Sequence, residues 1–374
     1  MIESVILIFC VAYTIYFLLL LIGWMRIDEH RSIPDGEHLS FSVIIPVRNE
    51  AVHIYYLLKD LAQQNYHSDC FEIIVIDDAS EDNTVDEVNK AMQDFAVDIR
   101  LIKGVENKSF KGKKEAITTG VSLAKYDLII ATDGDCRIGP NWLDQYRLVY
   151  QNTKARMVLG PVAYQNTRNW FETMQKVEFS ALIGLGAASL NWGMPNICNG
   201  ANLSYEKGLF VELNGYTGNE KVPSGDDEFL LQKAFNAHPE KITFNKSFEA
   251  LSYTQAKSTF SEFLNQRIRW SAKWKYHKSR RMKLWGLAMF MFNLSFVLFN
   301  IMLFYTEQKE LFLSILFVKL IVEYIYIYKV NSDLRDENSF LPVIILQLIY
   351  PFYIIFLMIS SFLKRYRWKG RLYL

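Results

Sequence analysis

Apolar residues are concentrated in long runs near the two ends of the chain, and a mixed region lies between them. From Val5 to Trp24 no charged residue occurs, and about 20 apolar residues are enough to cross a bilayer as a helix. Because Glu3 precedes this run and no Lys or Arg does, we expect an uncleaved anchor and not a signal peptide. Further apolar runs cover Leu284 to Phe304, Leu311 to Tyr328 and Phe340 to Leu363. The pattern predicts one N-terminal and two to three C-terminal membrane helices.

The central region alternates short β-rich runs with segments of helical periodicity. The β-rich runs are Phe41 to Val47, Phe71 to Asp77, Ile99 to Lys103 and Asp127 to Thr132. Helical periodicity covers Ala51 to Gln64, Thr84 to Phe95 and Gly112 to Ala124. The β-rich runs are almost wholly apolar, which is typical of buried parallel strands. We therefore predict an α/β fold with a doubly wound, mostly parallel sheet whose ligands lie beyond the carboxyl ends of the strands.

Composition narrows the class of protein. The chain has 374 residues, 51% of them hydrophobic, and a formal net charge of +1. This apolar content excludes a disordered or fibrous protein, and the near-zero charge gives no general attraction to nucleic acid. Cys10, Cys70, Cys136 and Cys198 lie far apart and lack CxxC spacing. Their spacing predicts neither a zinc site nor a disulfide framework, and it favours a reducing compartment for the central region.

Basic residues are concentrated next to the second apolar run. Between Arg267 and Lys283 there are eight Lys or Arg and no acidic residue. By the positive-inside rule this edge faces the cytoplasm, so we expect a cytoplasmic central domain. The basic tail from Lys364 to Arg371 would lie outside if all three late runs span the membrane. Alternatively, Pro342 and Pro351 break the last run into a re-entrant hairpin and return the tail to the cytoplasm.

The predicted organisation has four parts. Residues 1–30 form the N-terminal transmembrane helix, 38–257 the cytoplasmic α/β domain, 258–283 a basic amphipathic segment at the membrane surface, and 284–374 the C-terminal membrane helices with the basic tail. In the last part Lys319 and Glu323 are spaced i and i+4. They therefore share a helix face and can neutralise each other in a bilayer.

Polar residues follow each predicted strand. Pro46, Arg48 and Glu50 lie at the end of the first strand, and Asp77 and Asp78 lie at the end of the second strand. A lysine-rich loop that runs to Lys114 follows the third strand, and Asp133 and Asp135 follow the fourth strand. Acids beside lysines suit a nucleotide diphosphate with its metal ion. No GxGxxG follows a strand and no GxxxxGK[ST] occurs, which disfavours a dinucleotide site and a P-loop.

Two acidic motifs each allow two interpretations. The Asp133-Gly134-Asp135 motif can present oxygens to one hard divalent ion, but such a motif also occurs in solvated turns. The segment from Ser224 to Glu228 begins a predicted helix, where acids favour the helix dipole and Ser224 can act as the cap. The alternative is that Asp226 or Asp227 is a general base within hydrogen-bond reach of an acceptor.

A third motif, QRIRW, covers Gln266 to Trp270 in the basic stretch. In isolation, Trp beside Arg near a bilayer is commonly an interfacial anchor. However, the chain contains, in this order, PVRNE, VIDDAS, GKKEAITTG, TDGDC, CNGANLSY, GDDEFL and QRIRW. From Phe41 to about Trp270 this set resembles the membrane-integrated family-2 glycosyltransferases with a GT-A fold, which include ceramide-glucosyltransferase-like and cellulose-synthase-like enzymes.

The resemblance implies a role for each motif. Asp77 and Asp78 would bind the nucleoside, with Pro46, Arg48 and Glu50 near the base or ribose. Asp133 and Asp135 would hold Mg²⁺ or Mn²⁺ on the diphosphate, and Asp227 would be the catalytic base. Gln266, Arg269 and Trp270 would close over the diphosphate and acceptor, where Arg269 stabilises the leaving group. Lys113, Asp133 and Asp226 complete the predicted substrate-binding set.

The function that follows is an inverting, metal-dependent hexosyltransferase. It would move a sugar from a nucleotide sugar, preferentially a UDP-sugar, to a hydroxyl of a lipid or lipid-linked acceptor at the cytoplasmic membrane face. Two alternatives stay open: a processive polysaccharide synthase coupled to secretion, and a catalytically idle scaffold that binds sugar nucleotides. Membrane lipids are expected partners, and nucleic acid is not expected.

Overall fold

The computed structural model of the protein describes residues 2–30, 38–104, 110, 112–165, 167–219, 225–276, 279–305, 309–335, 340–363, 366–368 and 371–373. The chain forms two compact units. The sheet unit comprises Ile27–Gln165 and Leu190–Gln255, and the helical unit comprises Met1–Arg26, Asn166–Ser189 and Ala256–Leu374. This division differs from the predicted domain of residues 38–257, because residues 166–189 belong to the helical unit.

The sheet unit contains ten strands and six α-helices within the described residues. The strands are β1 (Phe41–Val47), β2 (Phe71–Asp77), β3 (Ile99–Lys103), β4 (Leu128–Ala131), β5 (Arg137–Ile138), β6 (Met157–Leu159), β7 (Val162–Tyr164), β8 (Leu203–Glu206), β9 (Ile242–Phe244) and β10 (Ser252–Thr254). The helices are α2 (Ile54–Ala62), α3 (Thr84–Asp94), α4 (Lys113–Leu123), α5 (Trp142–Asn152), α7 (Lys207–Glu212) and α8 (Asp226–Ala237).

The helical unit is built from long helices. They are α1 (Ile2–Met25), α6 (Trp170–Asn191), α9 (Phe260–Ala272), α10 (Arg280–Tyr305), α11 (Lys309–Asp333) and α12 (Phe340–Leu363). The last two residues of α6 fall in the sheet unit. A two-stranded antiparallel hairpin, β11 (Tyr366–Trp368) and β12 (Arg371–Tyr373), follows α12.

The main sheet has seven strands in the order β3-β2-β1-β4-β8-β6-β9. β1 is parallel to β2 and β4, β2 to β3, and β6 to β9, whereas β8 is antiparallel to its neighbours β4 and β6. The prediction of a mostly parallel sheet is therefore confirmed. All residues of β1 and β2 are buried, as their nearly continuous apolar sequence predicts.

Helix α4 packs closely on the first two strands because Gly120 has no side chain. A Cβ atom at Gly120 would lie 2.6 Å from the side chain of Ile44 in β1 and 2.7 Å from that of Ile76 in β2. This packing fixes the position of α4 on the sheet. The first residue of α4, Lys113, consequently contacts Asp133, which lies just beyond β4.

Within the described residues, four helical segments are long and apolar enough to cross a membrane. They are Leu7–Met25, Arg280–Tyr305, Lys309–Asp333 and Phe340–Ser361. One N-terminal and three C-terminal candidate membrane helices agree with the prediction. Helix α12 is one α-helix with Pro351 inside it, so the expected alternative of a broken, re-entrant hairpin is wrong. Lys364, Arg365 and Lys369 of the basic tail lie outside the described residues.

A buried polar contact joins α11 to α12. Pro351 has no N–H, so the carbonyl of Gln347, four residues earlier, lacks its usual donor within the helix. Lys319 Nζ of α11 donates to that carbonyl at 2.9 Å and lies 2.8 Å from Glu323 Oε1. The two charged residues are 4% and 6% exposed. The lysine thus satisfies the acceptor that the proline leaves open and pairs with Glu323 on the same helix face.

Candidate active site

The loops after β1 and β2 are joined through two residues in the left-handed conformation. Asn49 and Ala79 each have φ of 55°, a region that non-glycine residues seldom occupy. The main-chain N–H of Asn49 donates to Ser80 Oγ at 2.9 Å, and the main-chain N–H of Glu81 donates to the side-chain Oδ1 of Asn49 at 2.8 Å. Sequence reasoning did not single out Asn49, although asparagine is enriched in this conformation. Such strained positions cluster at functional sites.

The predicted nucleoside residues lie at the carboxyl ends of β1 and β2 and in these joined loops. Asp77 and Asp78 are 5% and 6% exposed, and both oxygens of the Asp77 carboxylate accept from Ser80 N at 3.2 and 3.3 Å. Arg48 Nη1 donates to the Asp78 carbonyl at 2.7 Å. Pro46 is paired with Ile76 inside the β1–β2 register. The structure thus brings the first two motifs together at one edge of the sheet.

Lys113 connects the DGD and GDD motifs. Its Nζ atom lies 2.7 Å from Asp133 Oδ1 and 3.3 Å from Asp226 Oδ2. Burial disfavours the charged amine, but the carboxylates of Asp133 and Asp226 outweigh that effect, so the pKa of Lys113 is raised above its ordinary value. The ammonium group therefore stands as a permanent positive charge between two acidic motifs that are 93 residues apart (226 − 133).

Asp227 is held by two main-chain amides. Its Oδ2 accepts from Gly200 N at 2.8 Å, and its Oδ1 accepts from Glu228 N at 2.8 Å. Residues 225–228 are described and α8 begins at Asp226, whereas Ser224, the cap that the sequence suggested, lies outside the described residues.

Gly200 of the CNGANLSY motif is a site residue that sequence reasoning missed. A Cβ atom there would lie 3.1 Å from both Asp226 Oδ2 and Lys113 Nζ, closer than ordinary van der Waals contact. A side chain here would force these two groups to shift by a few tenths of an ångström, whereas glycine lets the main-chain N–H reach Asp227 without that shift. The CNGANLSY motif marks this segment in the sequence. The sequence does not indicate which residues the glycine of the motif contacts.

The DGD motif also packs against the first loop. A Cβ atom at Gly134 would lie 2.8 Å from Val47 and 3.2 Å from Glu50 Cγ, so Glu50 lies beside the middle residue of the motif. Asp135 Oδ2 accepts from Thr254 Oγ1 at 3.3 Å, and the Asp133 side chain is 36% exposed.

The donor chemistry of this motif fits Mg²⁺ or Mn²⁺. No group of three His, Cys, Asp or Glu side chains suited to a metal occurs among the described residues. Mg²⁺ commonly uses only one or two carboxylates and completes its coordination with substrate phosphates and water. Asp133 and Asp135 supply hard oxygen donors of that kind, and Asp133 is open to solvent.

The residues of QRIRW lie in the helical unit. Gln266, Arg269 and Trp270 all belong to α9. Their neighbour Arg267, which the sequence did not single out, is only 2% exposed and pairs with Glu178 of α6 at 2.7 Å. The sheet unit thus brings together the predicted donor, metal and base residues, and the helical unit carries the QRIRW motif.

Family comparisons agree with these motifs. Residues 42–207 match the model of Glycosyl transferase family 2, and residues 128–359 match that of Glycosyl transferase family group 2. The second match covers more than half of the chain. The chain belongs to glycosyltransferase family 2.

Similar proteins include other glycosyltransferases. The probable glycosyltransferase YdaM of Bacillus subtilis is 26% identical over 239 residues, covering 62% of this chain and 54% of the relative. The poly-β-1,6-N-acetyl-D-glucosamine synthase of Staphylococcus aureus is 23% identical over 245 residues, covering 64% of this chain and 55% of the relative. This glycosyltransferase thus spans about half the length of these two curated relatives.

A solved structure has the same fold. The mannosyltransferase PcManGT from Pyrobaculum calidifontis, in complex with GDP-Man and Mn²⁺, matches with a TM-score of 0.55 at 15% identity. The match covers 95% of this chain and 98% of that one. The predicted GT-A fold is therefore confirmed for this family-2 glycosyltransferase.

Proposed function

We propose that this glycosyltransferase is an inverting, metal-dependent hexosyltransferase that acts at the cytoplasmic membrane face. It takes a sugar from a nucleotide sugar, preferentially a UDP-sugar, and transfers it to a hydroxyl of a lipid or lipid-linked acceptor. The observation that carries the proposal is the contact of Lys113 with Asp133 and Asp226 beside Asp227. That contact brings together the Lys113 cation, the DGD motif proposed to hold the metal, and the GDD motif that contains the proposed base.

The donor is assigned to the edge formed by the loops after β1 and β2. Asp77, Asp78 and Glu50 offer carboxylate oxygens, which accept from ribose hydroxyls and base N–H groups. The Arg48 contacts with Asp78 and Glu81 keep the two loops together before the donor arrives. A preformed site of this kind lowers the ordering cost of binding.

Asp133 and Asp135 would hold the divalent ion. When bound, such an ion neutralises charge on the diphosphate as the bond to the anomeric carbon breaks. Lys113 lies 2.7 Å from Asp133 and adds a second positive charge at the same edge. The PcManGT complex contains GDP-Man and Mn²⁺, which makes a guanosine donor and Mn²⁺ worth testing beside UDP-sugars and Mg²⁺.

Asp227 is assigned the role of general base. The acceptor hydroxyl attacks the anomeric carbon from the face opposite the diphosphate, and its proton passes to the Asp227 carboxylate. The new C–O bond forms as the bond to the β-phosphate oxygen breaks, and that oxygen keeps the electron pair. Two main-chain N–H bonds fix the carboxylate before the reaction, and the opposed geometry inverts the anomeric centre.

The composition of the helical unit supports the proposal that the acceptor is a lipid. In the part of the chain that the structure describes, it contains four candidate membrane helices, and the basic stretch begins within α9 and continues to the start of α10. Gln266, Arg269 and Trp270 of α9 are assigned the closure over diphosphate and acceptor, where Arg269 offsets charge on the leaving group. The positive-inside rule supports a cytoplasmic location for the basic stretch.

A processive polysaccharide synthase is the second candidate. The similarity to the poly-β-1,6-N-acetyl-D-glucosamine synthase favours it. The two candidates share donor chemistry and differ in their products, which are one glycolipid in the first case and a ladder of polymer in the second.

The decisive experiment is a donor screen with the purified full chain in lipid nanodiscs. We would measure nucleoside diphosphate release from a panel of UDP- and GDP-sugars, with Mg²⁺, Mn²⁺ or EDTA, and with or without a total lipid extract. The proposal expects release that needs both metal and lipid, and one new glycolipid by mass spectrometry. Asp227→Asn should abolish release, while Asp98→Asn, at an exposed acid of the same unit, should not. Lipid-independent polymer would favour the synthase, and no release from any donor would contradict both enzymes.

A further inference from the structure

One face of α6 contacts α9 and the segment that precedes it. Phe171 packs with its ring centroid 5.5 Å from that of Phe263, and the Gln175 side chain exchanges two hydrogen bonds with the main chain of Lys257, at 2.8 and 2.9 Å. Farther along, Glu178 pairs with Arg267 and Phe179 stacks with Trp270 at 5.8 Å. The α6 positions are spaced i, i+4, i+7 and i+8, which lie on one helix face.

The Glu178–Arg267 pair is fully removed from water. Arg267 Nε and Nη2 donate to Glu178 Oε2 at 3.0 and 2.7 Å, with 2% and 4% of the two side chains exposed. The other carboxylate oxygen accepts from the Tyr353 hydroxyl of α12 at 2.9 Å. Desolvation makes a buried ion pair no more stabilising than well-packed apolar residues. Stability alone therefore gives no reason for charges at this point.

Arg267 contacts two residues of the QRIRW motif at once. Its Nη1 donates to Gln266 Oε1 at 2.6 Å. Because arginine can only donate, the amide oxygen of Gln266 must face it, and this fixes the orientation of the amide. The guanidinium carbon lies 4.3 Å from the Trp270 ring centroid, at a distance where cation–π attraction holds the ring. The guanidinium group of Arg267 thus fixes the orientation of the Gln266 and Trp270 side chains.

We propose that Arg267 and Glu178 are positioning residues for sugar transfer. Arg267 fixes Gln266 and Trp270, and Glu178 fixes Arg267, so that α9 presents its motif in one arrangement. This inference rests on the role proposed above for the QRIRW motif. It adds a residue inside the motif and a partner on a distant helix to the set that determines turnover.

The test uses Arg267→Lys and the double variant Glu178→Gln/Arg267→Met in the full chain in nanodiscs. Lysine keeps the charge that Glu178 needs but lacks the planar fork and stacking face. The double variant removes both charges, so neither is left buried alone. For the donor that the wild type turns over, we expect kcat to fall by about 10- to 100-fold with KM within about threefold, as small misplacements do. Mn²⁺-dependent UDP binding should be unchanged.

Tyr353→Phe is the matched control, because it removes the other hydrogen bond to Glu178 and leaves Arg267 in place. We expect it to keep kcat within about threefold of the wild type. Wild-type kcat in both Arg267 variants would overturn the inference. So would a loss of kcat in all three variants that follows their thermal midpoints, since that pattern belongs to a structural pair.

Trp270→Ala separates this inference from the function it rests on. If Trp270→Ala turns over normally, the role proposed for the motif fails, and the positioning role fails with it. If Trp270→Ala is inactive while both Arg267 variants are active, only the positioning inference fails. Inactive Trp270→Ala with slow, well-folded Arg267 variants is the expected result.

Discussion

Lys113 Nζ lies 2.7 Å from Asp133 Oδ1 and thereby ties the start of α4 to the DGD motif beyond β4. The same atom reaches Asp226, at the start of α8, at 3.3 Å. Three segments that are far apart in the sequence therefore share one positive charge. Since the pKa of Lys113 is raised by these acids against the effect of burial, the charge is present throughout the neutral range.

Lys113→Met should impair both donor binding and turnover. Without the ammonium group, Asp133 and Asp226 repel each other and the diphosphate loses a counter-charge. We expect kcat/KM to fall by about 100-fold or more, consistent with the loss of an electrostatic contact to the leaving group. Diphosphate release at varied donor and Mn²⁺ concentrations measures it. Lys154→Met, at an exposed lysine of the same unit, should behave as wild type, and equal effects in both would refute the specific role.

Asp227→Asn should stop transfer and leave donor binding intact. Asparagine can keep the contact with Gly200 N through its amide oxygen, but it accepts no proton from the acceptor. Loss of a general base costs about 10²- to 10⁴-fold in rate. Single-turnover assays give the rate, and titration with UDP and Mn²⁺ gives the affinity. A variant that loses both in parallel would point to a structural role for Asp227.

Gly200→Ala should reduce turnover, because its methyl group would lie 3.1 Å from Lys113 Nζ and Asp226 Oδ2. Displacing these groups and the N–H that holds Asp227 should lower kcat by about 10-fold or more. Gly208→Ala is the matched control, since nothing lies within 4 Å of a Cβ there. An alanine in α7 should leave activity unchanged and stabilise the helix by about 0.5–1 kcal/mol.

The Asp82 carboxylate should contribute to the free energy of unfolding in a pH-dependent way. Partial burial acts to raise the pKa of this carboxyl, but hydrogen bonds from Thr84 and Ala51 N outweigh it and hold the pKa below its ordinary value of 3.8. The contribution is therefore present above pH 3.8 and is lost as pH falls through the lower native pKa.

Asp82→Asn should consequently lower the thermal midpoint at pH 7, by on the order of 1–2 °C because the group is exposed. The difference from wild type should shrink below about pH 4. Unfolding followed by fluorescence between pH 3 and pH 7 measures it, with Asp98→Asn as the control. A difference that is constant with pH would contradict the assignment.

Much of the sheet unit could be predicted because its strands are buried apolar runs. The predicted bounds of β1, β2 and β3 match the structure, and β4 is one residue shorter at each end than predicted. Placing polar motifs at strand ends also follows from parallel topology, which brings Asp77 and Asp133 to the same edge.

Other features depend on tertiary contacts that a linear pattern does not contain. Gly200 matters because of Asp226 and Lys113, which are distant in sequence. Arg267 looks like one of many basic residues before a membrane helix until Glu178 is found opposite it. Helix α6 has no sequence feature that assigns it to the helical unit, since its partners Lys257 and Arg267 come from another part of the chain.

Because Lys319 of α11 donates to the Gln347 carbonyl of α12, the stable membrane insertion of each helix depends on the other during synthesis. Helix α11 leaves the ribosome before α12, so Lys319 and Glu323 must enter the bilayer with only each other as polar partners. The acceptor that Pro351 exposes becomes available only when α12 arrives. Until then the Lys319 ammonium has Glu323 as its one polar partner, and α12 on its own would carry an unpaired carbonyl into hydrocarbon. A chain that ends before α12 should therefore be retained by the insertion machinery or degraded, while the full chain is released into the membrane.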